Sequence, residues 1–236
     1  MVPSEACPSN SDGHFGPRVD SACRAFDFSL LFEDAFFVAL PAALFLLLLP
    51  LRLPSLYNTP IKLTSYRLAA WKLALITLLF TSQLVFFLSR FALPTLQTRL
   101  SLASSILSLA ATLSAAIHSF LSDQRSSHPS DLLVLYFSFS TLLALPRLRT
   151  LYLFPSATLP TAAWTVVFVT SFLLVIVESL KKTRFLRPGY KEVATAETTT
   201  NFWARSFFTW VLPFVRQGYG KILTLEGIPR WMRSIG

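Results

Sequence analysis

Five long apolar runs separated by short polar segments dominate the chain up to residue 178. The runs cover 28–51, 68–88, 100–121, 131 to beyond 146, and 159–177. A bilayer core of ~30 Å needs ~20 apolar residues in a helix, and the first, second, third and fifth runs meet this length. The fourth is marginal, since Arg147 and Arg149 lie where its end should be. Because strands usually have only ~3–10 residues, the pattern predicts an all-α membrane protein with a five-transmembrane-helix bundle over 28–178.

The composition supports a membrane protein and excludes an ordinary soluble domain. Of the 236 residues, 53% are hydrophobic and only 14% are charged, and the mean hydropathy is +0.55. Soluble domains are nearer a quarter charged. The net charge of +9 does not indicate nucleic acid, because the basic residues lie between apolar runs, where membrane topology accounts for them. The predicted partner is therefore the lipid bilayer, and no nucleic acid is expected.

The third run differs from the others in its small and hydroxylated residues. These recur every fourth position and so lie on one helix face, at Ser104, Ser108, Thr112 and Ala116. Small residues at this spacing let helix backbones approach closely, which predicts a packing helix inside the bundle. His118 near the end of the run could be a proton relay or ligand, but an interfacial or hydrogen-bonded histidine is favoured.

Charged residues within the runs carry no recognisable catalytic chemistry. Glu33 and Asp34 are adjacent, so their side chains point about 100° apart on a helix, which favours a solvated interfacial role over a cation site. Lys72 lies one turn into the second run, where it can snorkel to the near interface. No G-x-S-x-G, H-E-x-x-H or C-x-x-C motif occurs, so no catalytic, cofactor-binding or metal-binding residue is predicted.

The distribution of basic residues predicts an extracytoplasmic N-terminus and a cytosolic C-terminus. With that orientation the inner segments hold nine Lys and Arg residues and the outer ones six. The largest inner contribution is a basic cluster formed by Lys181, Lys182, Arg184 and Arg187. The polar tail 1–27 then lies outside, where Cys7 and Cys23 could form a disulfide, although two free thiols are an equal alternative.

The segment "NFWARSFFTWVLPFVRQGYGKILTLEGI", residues 201–228, is rich in aromatics but too interrupted to span a membrane. A helix over about 202–215 would have one broad apolar face containing Trp203, Phe207, Trp210, Val211 and Phe214. A basic strip with Arg205 and Arg216 lies opposite. This pattern is typical of a helix in a membrane interface or docked on a bundle at that depth. The alternative is a short core helix of a soluble domain.

This segment resembles the cytosolic linker of subfamily C ATP-binding-cassette transporters, the multidrug-resistance-associated type, and is most similar to fungal members. Gly218-Tyr219, the preceding Pro213 and the "LTLE" that follows carry the resemblance. It extends backwards through "FDFSLLFEDAFF", "YRLAAWKLAL", "DLLVLYFSFSTLLALPRLRTL" and "VESLKKTRFLRPGYKEV". The resemblance implies the five-helix N-terminal domain (TMD0) over 28–178 and the start of the L0 linker over 179–228, with an elbow helix. Residues 229–236 diverge from the family.

The resemblance also implies a function for this chain. No G-x-x-x-x-G-K-[ST] phosphate loop is present, so ATP and Mg²⁺ belong to the parent family and no cofactor is expected here. The expectation is a non-catalytic module that targets, stabilises or regulates an ATP-driven exporter of xenobiotics and conjugates, truncated before the transport core. It would lie in the plasma or vacuolar membrane and associate with transporter core domains or another membrane protein. The alternatives are a free-standing oligomeric channel or transporter, or a membrane adaptor.

Overall fold

A computed structural model gives the fold of this chain. It describes residues 15–16, 27–57, 66–93, 96–125, 130–154, 157–180, 202–207, 209, 211–212 and 215–216. Within these residues all regular secondary structure is helical. The predicted all-α class is therefore confirmed.

Five helices in the described ranges are long and apolar enough to cross a membrane. Span 1 combines an α-helix at Leu30–Phe32, a π-helical segment at Glu33–Ala39 and an α-helix at Leu40–Tyr57. Spans 2 to 5 are the α-helices Tyr66–Phe91, Ser101–Arg125, Asp131–Tyr152 and Thr158–Glu178. A helix makes most of its backbone hydrogen bonds within itself, which suits the bilayer interior. The chain is thus a multi-pass membrane protein.

Span 1 contains a widened helical turn just before a proline. Leu40 N donates to Ala35 O, five residues back, at the end of the π-helical segment. Pro41 follows directly and has no N–H to donate. The irregular part of span 1 thus lies in the residues immediately before Pro41. Glu33 and Asp34 lie within the widened segment, which sets the direction of both carboxylates.

Span 4 reaches full length despite its marginal hydropathy. The helix continues through Pro146 and Arg147 to Tyr152. Arg147 does not end the span, because its side chain is buried against other helices rather than exposed to the apolar surroundings. The fourth apolar run is therefore a spanning helix.

The five spans pack side by side around a mixed core. Span 2 contacts spans 3 and 5, span 4 contacts span 5, and span 1 contacts spans 3 and 4. Phe45 stacks on Tyr136 with ring centroids 4.5 Å apart, which joins span 1 to span 4. Large apolar side chains such as Leu47, Leu51 and Leu142 point outward, as lipid-facing residues do.

A short helix at Phe202–Ser206, the linker helix, follows in the described residues. It covers the first part of the helix predicted over 202–215; the chain turns at Phe207, and Leu212, Val215 and Arg216 are again helical. Thr209 N donates to Ala204 O at 2.9 Å, a wide turn of the kind that ends helices.

Candidate functional site

The centre of the first buried charge cluster is Asp34, which is 0% exposed. Arg90 donates to both carboxylate oxygens of Asp34, from Nη1 at 3.1 Å and from Nη2 at 2.8 Å. Arg147 Nη2 lies 2.7 Å from Oδ1, and Thr98 Oγ1 donates to Oδ2 at 2.6 Å. Arg90 also donates to the backbone oxygen of Leu96. One carboxylate therefore ties spans 1, 2 and 4 to the segment before span 3.

Two more carboxylates lie at the edge of this cluster. Thr150 Oγ1 is 2.5 Å from Glu33 Oε1 and 3.0 Å from Asp27 Oδ1. Both carboxylates are buried. Glu33 has no salt bridge within the described residues, in contrast to the neighbouring Asp34. We refer to these residues together as the Asp34 cluster: Asp27, Glu33, Asp34, Arg90, Thr98, Arg147 and Thr150.

Aromatic rings cover the inner side of the two arginines. The Arg147 guanidinium carbon lies 4.7 Å from the Trp164 ring centroid and 5.1 Å from that of Phe86. Arg90 lies 5.6 Å from the same Phe86 ring. Cations over aromatic faces are attracted by the ring quadrupole. The rings therefore separate the two guanidinium groups from the apolar middle of the bundle. Trp164 belongs to span 5, so this span also contacts the Asp34 cluster.

A second cluster, the Lys72 cluster, consists of Lys72, Asp123 and Glu178. Lys72 Nζ is 2.8 Å from Asp123 Oδ1 and also forms a salt bridge with Glu178. All three side chains are buried, and Lys72 is only 1% exposed. The cluster joins the beginning of span 2 to the ends of spans 3 and 5.

The two clusters lie at opposite ends of the bundle. On span 2, Lys72 and Arg90 are 18 residues apart, which at 1.5 Å per residue is about 27 Å. That distance is close to the ~30 Å thickness of a bilayer hydrocarbon core. One cluster therefore lies near each membrane interface. Between them, the described spans contain no Asp, Glu, Lys or Arg.

These contacts correct two predictions made from the sequence. Glu33 and Asp34 were expected to be solvated at the interface, but both are 0% exposed. The widened helix before Pro41 and the arginines of spans 2 and 4 account for the difference. Lys72 was expected to snorkel to the interface, but its two carboxylate partners hold it inside the bundle.

The small and hydroxylated residues predicted to lie on one face of span 3 differ in how deeply they are buried. Ser104 and Thr112 are buried, while Ser108 and Ala116 are half-buried. Thr112 Oγ1 lies 2.8 Å from Gln83 Oε1 of span 2. His118 is buried, and its Nδ1 lies 3.3 Å from Ser130 Oγ, in line with the hydrogen-bonded role that was favoured. The packing role of the four-residue stripe stays a prediction.

The linker helix contacts the bundle through one ion pair. Arg205 Nη2 forms a salt bridge with Asp131 Oδ2 at the beginning of span 4. Trp203 and Phe207 are exposed and their rings stack 6.3 Å apart, while Val211 is half-buried. An exposed aromatic pair beside an anchored basic residue suits a membrane interface.

Several predicted site residues lie outside the described residues. These are Cys7, Cys23, the basic cluster of Lys181, Lys182, Arg184 and Arg187, and the aromatics Trp210 and Phe214. Their roles stay predictions. Within the described part of the chain, no group of three or more His, Cys, Asp or Glu residues is placed to hold a metal ion.

Comparison with protein families gives the class of the protein. The model of the ABC transporter TMD0 domain matches residues 6–163, which contain the first four spans and the beginning of the fifth. The chain belongs to this family. It is a membrane domain of the kind found in ABC transporters, which agrees with the resemblance seen in its sequence.

Fungal transporters are among its relatives. ABC-type transporter FG02316 of Gibberella zeae is 33% identical over 93% of this chain and 15% of its own length. ABC transporter atnG of Emericella nidulans is 32% identical over 90% of this chain and 14% of its own length. ABC multidrug transporter B of Aspergillus fumigatus is 32% identical over 88% of this chain and 14% of its own length. The chain thus spans about a seventh of the length of these relatives.

Proposed function

We propose that this chain is the non-catalytic N-terminal membrane module of a subfamily C exporter, where it targets, stabilises or regulates the transport core. The family match and the fungal relatives support a transporter context. The multidrug name of one relative supports xenobiotics or their conjugates as cargo of the whole transporter. ATP and Mg²⁺ would act in other domains of that transporter. The plasma or vacuolar membrane is the proposed location.

The observation that carries this proposal is the placement of charge in the described spans. All the buried ion pairs of these spans fall into the two end clusters, where they connect helices. The helix sections between the clusters contain no charged side chain. Charged residues deep within membrane spans mark the pathways of ions and protons. The arrangement therefore favours a rigid scaffold over the alternative of a free-standing oligomeric channel.

The cytosolic linker, residues 179–228, is the part that would connect this scaffold to the transport core. The Arg205–Asp131 ion pair supports docking of the linker helix beside span 4. The exposed rings of Trp203 and Phe207 would enter the membrane interface. The basic cluster of Lys181, Lys182, Arg184 and Arg187 would face anionic headgroups, each charge contributing about 1 kcal/mol near such a surface.

A chimeric transporter tests the function. In FG02316 of Gibberella zeae, the matching segment would be deleted or replaced by this chain, and the tagged proteins compared in cells. We expect deletion to reduce the abundance of the protein or its delivery to its membrane, and the replacement to restore it. Equal abundance, delivery and transport with and without the segment would contradict the proposal. Ion flux through liposomes that contain this chain alone would favour the channel instead.

The linker is tested within the same chimera. Changing all four residues of the basic cluster to Glu should weaken retention on anionic membranes or docking of the core. The matched control changes the same number of linker residues, Thr195, Thr198, Thr199 and Thr200, to Gln, which removes no charge. If the Glu variant retained both properties at control level, the cluster would have no role in either.

A further inference from the structure

A partly open cavity of about 40 Å³ lies between the spans, and one of its walls is Trp164, the ring that covers Arg147. Span 1 contributes an apolar wall with Phe37, Val38 and Pro41. The other four spans contribute polar side chains, namely Gln83, Ser108, Tyr136, Ser140 and Ser171. Such a concentration of polar groups is unexpected where the surroundings are lipid and apolar side chains, because unsatisfied polar groups are costly there.

The cavity lies well inside the membrane. Thr112, which contacts Gln83 beside the cavity, is 11 residues from the beginning of span 3, or about 16 Å along the helix. Gln83 is eight residues before the end of span 2, or about 12 Å from it. Interfacial water does not reach this depth along an apolar helix surface.

Two polar side chains at the cavity, Gln83 and Ser171, have hydrogen-bond donors that are not used within the described residues. Gln83 Oε1 accepts from Thr112, and the Gln83 amide nitrogen, with two N–H groups, has no hydrogen-bond partner within the described residues. Ser171 is 4% exposed, lines the cavity and makes no hydrogen bond within the same part of the chain. Tyr136 and Ser140 of span 4 line the same cavity and complete a polar rim around it.

The irregular helix of span 1 forms the wall opposite these polar side chains. Pro41 has no N–H, so the carbonyl of Phe37, four residues earlier, loses its usual α-helical donor. Both residues line the cavity. The end of the π-helical segment therefore faces the polar side chains of the other spans across the cavity.

We propose that this cavity is a binding site for one to three ordered water molecules, which hydrogen-bond to Ser171, Gln83 and the polar rim. One water needs about 10–15 Å³ of such volume and two to four polar partners, and the cavity offers both. An apolar cavity of this size would stay dry. The bound water would link spans 2 to 5 near the middle of the bilayer, where no charged residue connects them.

Radiolytic labelling of the full chain in lipid nanodiscs tests the proposal, because X-ray-generated hydroxyl radicals form from bound water and oxidise the nearest side chains. Two equally buried phenylalanines form an internal comparison. Phe137 is 1% exposed and lines the cavity, while Phe45 is 2% exposed and does not. We expect Phe137 to be oxidised several-fold faster than Phe45. Equal, slow oxidation of both would overturn the proposal and indicate a dry or acyl-chain-filled cavity.

A cavity variant tests the assignment of Ser171. Ser171→Val replaces the hydroxyl by a methyl group and fills space, so oxidation of Phe137 should fall to the rate of Phe45. The matched control is Thr77→Val on the exposed surface of span 2, which should change neither rate. Unchanged fast oxidation of Phe137 in a folded Ser171→Val protein would contradict the role of Ser171. The comparison of the two phenylalanines in the unaltered protein does not depend on the variant.

Discussion

Arg90 near the end of span 2 donates two hydrogen bonds, of 3.1 and 2.8 Å, to the carboxylate of Asp34 near the beginning of span 1. Such a bidentate pair adds geometric specificity as well as attraction. It lies at one end of the bundle and joins span 1 to span 2, which are not among the pairs of spans that pack extensively against each other. Apolar contacts alone provide little preference between alternative registers in lipid, because lipid tails are as apolar as leucine.

The neighbouring carboxylates Asp34 and Glu33 should respond differently to neutralisation. Asp34→Asn leaves Arg90 and Arg147 buried without their anionic partner, and loss of one member of a buried pair typically costs ~3–5 kcal/mol. We expect the free energy of unfolding to fall by that order. Unfolding by sodium dodecyl sulfate in mixed micelles, followed by tryptophan fluorescence, measures it.

Glu33→Gln is the matched control for this prediction. Glu33 contacts Thr150 but has no salt bridge among the described residues. The amide retains a hydrogen-bonding oxygen, so we expect a loss of at most about 1 kcal/mol, the value of one hydrogen bond. Equal losses for the two variants would mean that the arginines stabilise the cluster as a whole and not Asp34 in particular.

The Lys72 cluster should be destabilised more by removing its cation than by removing all its charges. Lys72→Met leaves Asp123 and Glu178 as two neighbouring buried carboxylates, so a loss of ~3–5 kcal/mol is expected. The triple variant Lys72→Met, Asp123→Asn, Glu178→Gln leaves no buried charge and should recover much of that loss. The same unfolding measurement compares them.

Arg52→Gln supplies the control for charge alone. Arg52 is exposed near the end of span 1, and surface substitutions usually change stability by no more than about 0.5 kcal/mol. If the triple variant were no more stable than Lys72→Met, the carboxylates would contribute little to the cost. The Lys72 side chain would then act mainly through its packing.

The apolar runs were sufficient to predict the bundle but not the clusters within it. Run length alone indicates a spanning helix, since each helix satisfies its own backbone. The sequence predictions for Asp34 and Lys72 considered each charge within its own run. Five spans of alternating direction place the beginning of span 1 and the ends of spans 2 and 4 at one side. That rule places Asp34, Arg90 and Arg147 at the same side of the membrane, but only the packing of the spans brings them into contact.

Other features depend on tertiary detail that no periodicity carries. The π-helical turns at Glu33–Ala39 arise in front of Pro41, yet a proline by itself predicts only a disturbed helix. The cavity beside Gln83 and Ser171 results from side chains of different spans meeting. Along each run these residues look like ordinary small or polar packing positions. Their significance appears only when the spans are assembled.

The ion pair between Arg205 and Asp131 should hold the linker helix against span 4. Both side chains are about a quarter exposed, so the ion pair contributes only ~0.2–1 kcal/mol. This corresponds to a change of up to about fivefold in the equilibrium constant for docking of the linker helix. Arg205→Glu and Asp131→Arg should each broaden the distance between spin labels at Phe207 and Leu135, in a background without Cys7 and Cys23. Combining the two changes reverses the charges and should restore the narrow distance. A narrow distance in both single variants would show that other contacts dock the linker.

The orientation of the chain in the membrane is the last prediction and depends on the distribution of basic residues. An extracytoplasmic N-terminus places the basic cluster after span 5 in the cytosol, together with the Lys72 end of the bundle. Cys7 and Cys23, the only two cysteines of the chain, would then lie outside.

A membrane-impermeant maleimide should label Cys7 and Cys23 in intact cells. Labelling that requires prior treatment with a reductant would indicate a disulfide between them. Ser206→Cys, in a background with both native cysteines changed to Ser, should react only after permeabilisation. Labelling of the native tail only after permeabilisation, with Ser206→Cys reactive in intact cells, would reverse the proposed orientation and place the linker outside.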